Sequence, residues 1–320
     1  MESIGIIGAG RAGTAVGQAL TAAGYRLTGI TARTPASAER AARLLPGIAV
    51  RPLEELAATS DVLLLAVPDE AIATVAAQLD LRPGQYVVHL SGAHGTTPLA
   101  AAGGVPVALH PPMTFPRTTG TAAPELTAVT FTATAPDEAR PFVERLVKDL
   151  GAEVQWVPED QRAAYHAGVV HGANHLVTLL AQSFEALRAA GITDPSATMR
   201  PLLQATLDNA LRSGHDALTG PVARGDAGTV EAHLAALPPD TVPAYVALAR
   251  ATVELVAADG RIDASAAQRL RAVLPATTDE LPATNGTATA ANGMANAMTA
   301  ASTAGGTATL AANPGREAAR

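Results

Sequence analysis

The sequence predicts an α/β fold: an N-terminal parallel-sheet domain, an all-helical C-terminal domain and a disordered C-terminal tail. Three observations carry this. Up to residue 158 short apolar β-type runs alternate with amphipathic stretches, the pattern of a parallel sheet covered on both faces. From Glu159 to Leu274 the β signal stops and helical periodicity takes over. Beyond that the chain is dominated by Ala, Thr, Gly and Asn, lacks aromatics and has no apolar period. The predicted domains are therefore 1–158, 159–274 and the tail 275–320.

The elements follow in order. SIGIIGAG opens as a strand, and RAGTAVGQALTAAG is a helix closed by Gly24. LTGIT is the second strand, and PASAERAARLL a helix with proline in its first turn. DVLLLAV, YVVHL and VPVALH are nearly continuous apolar strands. TAVTFTAT is a later strand, PDEARPFVERLVKDLG a helix and AEVQWV a last short strand. Residues 159–191 read as one long helix, apolar or small nearly all round in its middle, which predicts burial. Further helices are expected at 194–196, near Pro201, at Asp226, near Asp240 and at Asp263, each from an aspartate or proline start signal.

Bulk properties exclude several functions. A net charge of −7 argues against nucleic acid as a main partner, because phosphate binding needs a basic surface. No contiguous 18-residue apolar run predicts a membrane span, and the N-terminus lacks the basic region of a signal peptide, so a cytoplasmic protein is expected. The absence of cysteine excludes disulfides, thiolate catalysis and cysteine metal sites. Lys148 is the only lysine, late in an amphipathic helix, so lysine-dependent chemistry has one candidate, and its position reads as a solvated helix end.

GAGRAG at 8–13 is G-x-G-x-x-G, directly after a predicted strand and opening a helix. Gly8 permits the tight turn, Gly10 lets backbone approach a pyrophosphate, and Gly13 lets helix and strand pack closely. Arg11 and Ala12 lie at the helix N-terminus, which faces the phosphates. This is the Rossmann-type dinucleotide signature. The second strand ends in GITARTPASAER, with no acid before Glu39 for a ribose hydroxyl. Arg33 and Thr34 stand where a 2′-phosphate would lie, which predicts NADP over NAD. In open parallel sheets ligands bind at the carboxyl ends of strands. Those ends supply Val67, Pro68 and Asp69, then His89, Ser91 and Gly92, then His110. Ser91 and His110 would face the nicotinamide and substrate; the competing reading of each histidine is a hydrogen-bonded or exposed loop residue.

These motifs, with LLLAVPDEAI, HLSG, LHPPMTF, YHAGVVHGANHLVTL, ALTGPVARGD and VEAHL, resemble the bacterial Rossmann-like proteins that carry a DUF2520 C-terminal domain. The resemblance spans roughly residues 3–274. The family is similar to the 6-phosphogluconate and β-hydroxyacid dehydrogenase group, and to pyrroline-carboxylate and ketopantoate reductases. It implies NADP, a helical dimerising domain, hence a homodimer, and an active site between the domains. It implies no substrate.

The stretch YHAGVVHGANHL (165–176) holds three histidines and an asparagine. At about 100° per residue from His166, Asn174 falls at roughly 80°, His171 at roughly 140° and His175 at roughly 180°. They cannot all reach one site. HGANH lacks the glutamate of H-E-x-x-H and a third ligand, so no metal is expected. In the β-hydroxyacid dehydrogenases this helix carries a catalytic lysine with an asparagine four residues later. Asn174 matches the asparagine, but the lysine position is Val170. If the protein is a reductase, the proton must come from another group, with His166 the first candidate and His110 the second, since imidazole titrates near neutrality. The alternative is that His166 and Asn174 are helix-packing residues. In TGPVARGD, Asp226 reads as a helix cap, and Arg224 either binds a substrate carboxylate or braces the loop against Asp226; His233 reads as structural. The expected function is an NADP-dependent oxidoreductase acting on a small carbonyl, hydroxyl or imine substrate that carries a carboxylate. Ser91, Asn174 and Arg224 would hold the substrate. Ketopantoate or pyrroline-carboxylate reduction is the runner-up chemistry, and a non-catalytic NADP-binding sensor the alternative class.

Overall fold

The computed structural model describes residues 1–115 and 126–275. The predicted disordered tail, from residue 276 on, lies outside the described residues. The chain divides into two compact units, Met1–Ala181 and the residues from Gln182 on.

The first unit is built on a seven-stranded sheet. Its strands are β1 (Ser3–Ile7), β2 (Arg26–Thr31), β3 (Val62–Leu65), β4 (Tyr86–His89), β5 (Val105–His110), β6 (Thr130–Thr134) and β7 (Glu153–Trp156), in the spatial order β2-β1-β3-β4-β5-β6-β7. Between them run α1 (Arg11–Ala22), α2 (Pro35–Leu44), α3 (Leu53–Thr59), α4 (Ile72–Ala76) and α5 (Arg140–Asp149). Alternation of side chains along each strand sorts the core into two layers. Val62 and Leu64 pack with Val16 and Leu20 of α1 and with Phe142 and Leu146 of α5. Leu63 and Leu65 face the other way, against Leu56 of α3 and Ile72 and Ala76 of α4. Both faces are thus covered, which is why the central strand β3 carries no polar position.

The sequence predicts a parallel sheet, and one strand pairing departs from it. β6 runs antiparallel to β5, with His110 opposite Thr132. The chain leaves β5 and re-enters the sheet from the same end, so no crossover helix is required. Gly5 lies at a register irregularity between β1 and β2.

The predicted long helix is α6 (Arg162–Val169) and α7 (His175–Ala189), joined by a π-helical turn, Val170–Asn174. That turn changes the angular phase, so positions beyond Val169 do not follow a uniform 100° step. The predicted burial of its middle is not found: Leu176, Val177 and Leu179 are 38%, 69% and 39% exposed. An apolar composition states a preference for cover, and this single chain does not supply it there.

Beyond α7 come α8 (Pro195–Ser213), α9 (Gly220–Ala223), α10 (Ala227–Ala236), α11 (Val242–Ala258) and α12 (Ala264–Val273). Asp194, Asp226 and Asp263 each cap a following helix through a side-chain oxygen, as their positions predict. Pro201 starts no helix but lies inside α8, because Pro195 and the Asp194 cap have already set that helix going. The short α9 was not predicted. This unit's core is aliphatic: Val230, Val246, Val253, Val256 and Leu270 are buried together. Pro239–Ala258 is long and apolar enough to span a membrane by length and composition, against the expectation of no such segment, yet Val246, Val253 and Val256 from it belong to this core.

Candidate active site

The turn between β1 and α1 is shaped by glycine where predicted. Gly8 has φ of +111°, and a Cβ there would lie 2.5 Å from the Ala66 carbonyl oxygen. A Cβ on Gly13 would lie 2.2 Å from the Gly8 carbonyl oxygen, so no other residue fits without moving the backbone. Gly10 differs: a Cβ there would meet only the Ala66 oxygen, at 3.9 Å. Its open side leaves the backbone approachable. Gly10 is the N-cap of α1 and supplies no side-chain cap, so the first-turn amides, including those of Arg11 and Ala12, are available to an anion. From α2, Arg40 Nη1 donates to the Ala9 carbonyl at 3.0 Å and steadies the turn.

A cleft of about 530 Å³ runs along this turn and is lined by Gly8, Gly10, Arg33, Thr34, Val67 and Pro68, among others. It lies at the carboxyl ends of β1, β2 and β3, where the strand order reverses. Thr34 is committed to the helix: its hydroxyl accepts from the Ser37 amide at 3.2 Å, and Ser37 Oγ accepts from the Thr34 amide at 3.0 Å. Arg51, which the spacing does not single out, also lines the cleft and pairs with Glu55. The cleft therefore presents two guanidinium groups and a helix N-terminus at its β2 end. The residues present fit a dinucleotide: glycine where backbone must approach and open amides at α1, with cations at β2.

A second group of side chains gathers at the ends of β3, β4 and β5. Asp69 follows Pro68, and its Oδ2 accepts from Ser91 Oγ at 2.7 Å. Since that proton points to Asp69, His94 Nδ1 at 3.0 Å from Ser91 Oγ is the donor to it. Ser91 is 6% exposed, whereas His94 and Asp69 are half exposed. His110, at the end of β5, receives Tyr165 from α6, with the Tyr165 hydroxyl 2.7 Å from Nδ1. The His166 ring stands 5.9 Å from that of His110, perpendicular to it. Gly92 sits against both imidazoles; a Cβ there would be 2.6 Å from His166 Cδ2 and 3.1 Å from His110 Nε2. Burial, with the Arg162 guanidinium and His166 adding to it, pushes His110 down to about 4.

The loop after β4 is fixed from three sides. His89 is fully buried; its Nδ1 accepts from the Ser91 amide at 3.1 Å, and Nε2–H donates to the Gly95 carbonyl at 2.7 Å. Burial holds it well below the usual histidine range, so it is a neutral strut. Arg162, 1% exposed, donates from Nε to the His94 carbonyl at 2.9 Å and from Nη2 to the Ser91 carbonyl at 3.1 Å. Glu159 accepts from the amides of Thr96 and Thr97 at 2.7 and 3.1 Å.

The structure brings together Ser91, His110 and His166 of the predicted residues. Asn174 lies in the exposed π turn, and among the described residues no hydrogen bond or ring contact links it to that group. His171 and His175 face each other, Nδ1 to Nδ1 at 3.3 Å. Arg224 is exposed in the second unit, where Asp226 caps α10 by accepting from the Thr229 amide at 3.0 Å. His233 bonds the Tyr245 hydroxyl at 2.9 Å, the structural role its position suggests. Asp69, which the sequence places at a strand end with Val67 and Pro68, joins this group; His94, Arg162 and Tyr165 join it without any spacing signal to mark them.

A doubly wound sheet unit with a glycine-turn cleft, followed by helices, defines the class. Residues 1–111 match the Rossmann-like domain, and residues 129–252 match the domain of unknown function DUF2520. The chain belongs to the family of Rossmann-like proteins carrying DUF2520. Among solved structures it is similar to a Bacteroides fragilis protein assigned as an NADP oxidoreductase, at 23% identity and TM-score 0.64 over 80% of this chain and 97% of that one. A Thermotoga maritima protein aligns at 22% identity and TM-score 0.55 over 85% and 98% of the two chains. A pyrroline-5-carboxylate reductase from Coxiella burnetii aligns at 19% identity and TM-score 0.51 over 86% and 99%. At these identities the likeness is one of fold. No curated protein matches the sequence.

Proposed function

We propose that this protein is an NADP-dependent oxidoreductase acting on a small carbonyl, hydroxyl or imine substrate that bears a carboxylate. One observation carries the reading: the cleft with glycine turn, open helix amides and Arg33 is lined by Val67 and Pro68, and the next residue in the chain, Asp69, bonds Ser91 of the second side-chain group through its carboxylate. A bound nicotinamide would supply the hydride. Gly8, Gly10, Arg11, Ala12 and Gly13 would hold the pyrophosphate, Arg33 and Thr34 the 2′-phosphate end, and Val67, Pro68 and Ser91 the nicotinamide end. His110 and His166 border the space beside Gly92, where they would meet the reacting oxygen or nitrogen. Asn174 and Arg224 are proposed as substrate contacts, the latter through its guanidinium.

The reading is tested by NADPH oxidation against a panel of small 2-oxo acids, including ketopantoate, and cyclic imines, including pyrroline carboxylate. Turnover that disappears in His166→Leu and Asn174→Leu while NADPH still binds supports an enzyme. NADPH binding with no turnover on any member favours the second reading, a sensor; the Val170 that replaces the lysine of the dehydrogenases is what speaks for it.

A homodimer belongs to the same proposal. Leu202, Leu207 and Leu211 of α8 are 60%, 51% and 79% exposed, an apolar surface suited to a second copy.

A further inference from the structure

We propose that Tyr165 and His110 form the proton-donating pair of this site, with Tyr165 holding His110 as an Nε2–H donor. The chemical step rests on the oxidoreductase reading; the pairing itself does not.

His110 has two nitrogens in different surroundings. Nδ1 is 2.7 Å from the Tyr165 hydroxyl, while Nε2 lies on the Gly92 side. Gly92 matters here because a Cβ would come within 3.1 Å of Nε2 and close that space. The charged or titratable groups around the ring, besides Tyr165, are Arg162 and His166 from α6, Asp69 after β3 and His89 of β4. Burial and the Arg162 cation outweigh Asp69, so the ring is neutral in neutral solution. A neutral imidazole carries one N–H, and the hydrogen bond at the other nitrogen decides which. A phenol donates readily, so Tyr165 O–H → Nδ1 leaves the proton on Nε2.

A neutral ring gives that proton up easily only if it gains one at its other nitrogen. In the reductive direction the Nε2–H bond breaks and an O–H or N–H bond forms on the substrate, while Tyr165 O–H breaks and Nδ1–H forms. His110 stays neutral throughout and exchanges tautomers. The electron pair for substrate carbon comes from a reduced nicotinamide dinucleotide. The negative charge left on Tyr165 lies beside Arg162, whose guanidinium carbon is 5.8 Å from the tyrosine ring centre. A solvent proton then returns to Nε2 while Nδ1–H gives its proton back to the phenolate, which restores the starting tautomer. Arg162 is a positioning residue: it keeps His110 neutral and fixes the Ser91–His94 loop.

The test is a long-range 1H–15N correlation spectrum of the full chain labelled at histidine, with His110→Gln to assign the ring. The expected result is protonated Nε2 and unprotonated Nδ1 in the wild type. In Tyr165→Phe, which keeps the ring, the Nδ1 resonance should move to the position of an unbonded nitrogen while NADPH affinity stays the same. A wild-type Nδ1–H tautomer, or a spectrum unchanged in Tyr165→Phe, would overturn the proposal. A protein that keeps the Nε2–H tautomer yet binds no NADPH would remove the oxidoreductase reading and leave the pairing standing.

Discussion

Arg33 lines the cleft with Arg51, but the two guanidinium groups are not equivalent. Arg51 already pairs with Glu55, whereas Arg33 stands at the end of β2 beside the N-terminus of α2. Arg33 is therefore the group on which discrimination for a 2′-phosphate should depend. A charge-assisted pair contributes about 1.5–3 kcal/mol, so Arg33→Ala should weaken NADPH by roughly 10- to 100-fold and leave NADH little changed. Equal loss for both cofactors in a binding titration would remove Arg33 from that role. Gly13 makes a different point about single atoms. With 2.2 Å between its missing Cβ and the Gly8 oxygen, Gly13→Ala must displace backbone. A cost of about 1–3 kcal/mol follows, read as a lower thermal midpoint together with weaker NADPH binding. Unchanged stability would mean that the turn yields more easily than its geometry implies.

At the scale of elements, the segment after β4 is anchored by groups that must keep defined charge states. His110 takes a proton near 6.5 in the unfolded chain but only near 4 when folded. Between those values the unfolded state binds more protons, so stability falls as the solution is acidified through that window. The loss sets in below pH 6.5 and amounts to on the order of 3 kcal/mol by the time pH falls to about 4. Buried His89 acts in the same direction. Urea midpoints from pH 7 to 4 should fall steeply in the wild type and less so in His110→Asn; parallel slopes would argue against a neutral, buried ring. The same segment marks where the sequence stops being legible. VLLL of β3 and the glycine offsets at 8–13 announce themselves because their physics is local: burial on both faces, and backbone close to backbone. Arg162 holds the carbonyl of Ser91 across 71 residues, and no periodicity encodes such a pair. Tyr165 carries no signal of its own, because a lone tyrosine in an apolar helix has no spacing that marks it. The π turn at Val170–Asn174 escaped for a related reason, since angular arithmetic assumes an unbroken helix.

For the whole molecule, the exposed leucines of α7 and α8 are the main departure from a self-sufficient chain. Leu207 and Leu211 are one turn apart and share a face. If a second copy covers them, sedimentation should give twice 32.2 kDa, and Leu207→Asp with Leu211→Asp should give a folded monomer. A monomeric wild type would refute this. The central claim, that the cleft is built for a 2′-phosphorylated nicotinamide dinucleotide, has its most direct test in one measurement. The purified protein is titrated with NADPH and with NADH, and nicotinamide fluorescence is followed. Tight NADPH binding with weak NADH is the predicted result. Binding of neither, or an equal affinity for both, would contradict the claim.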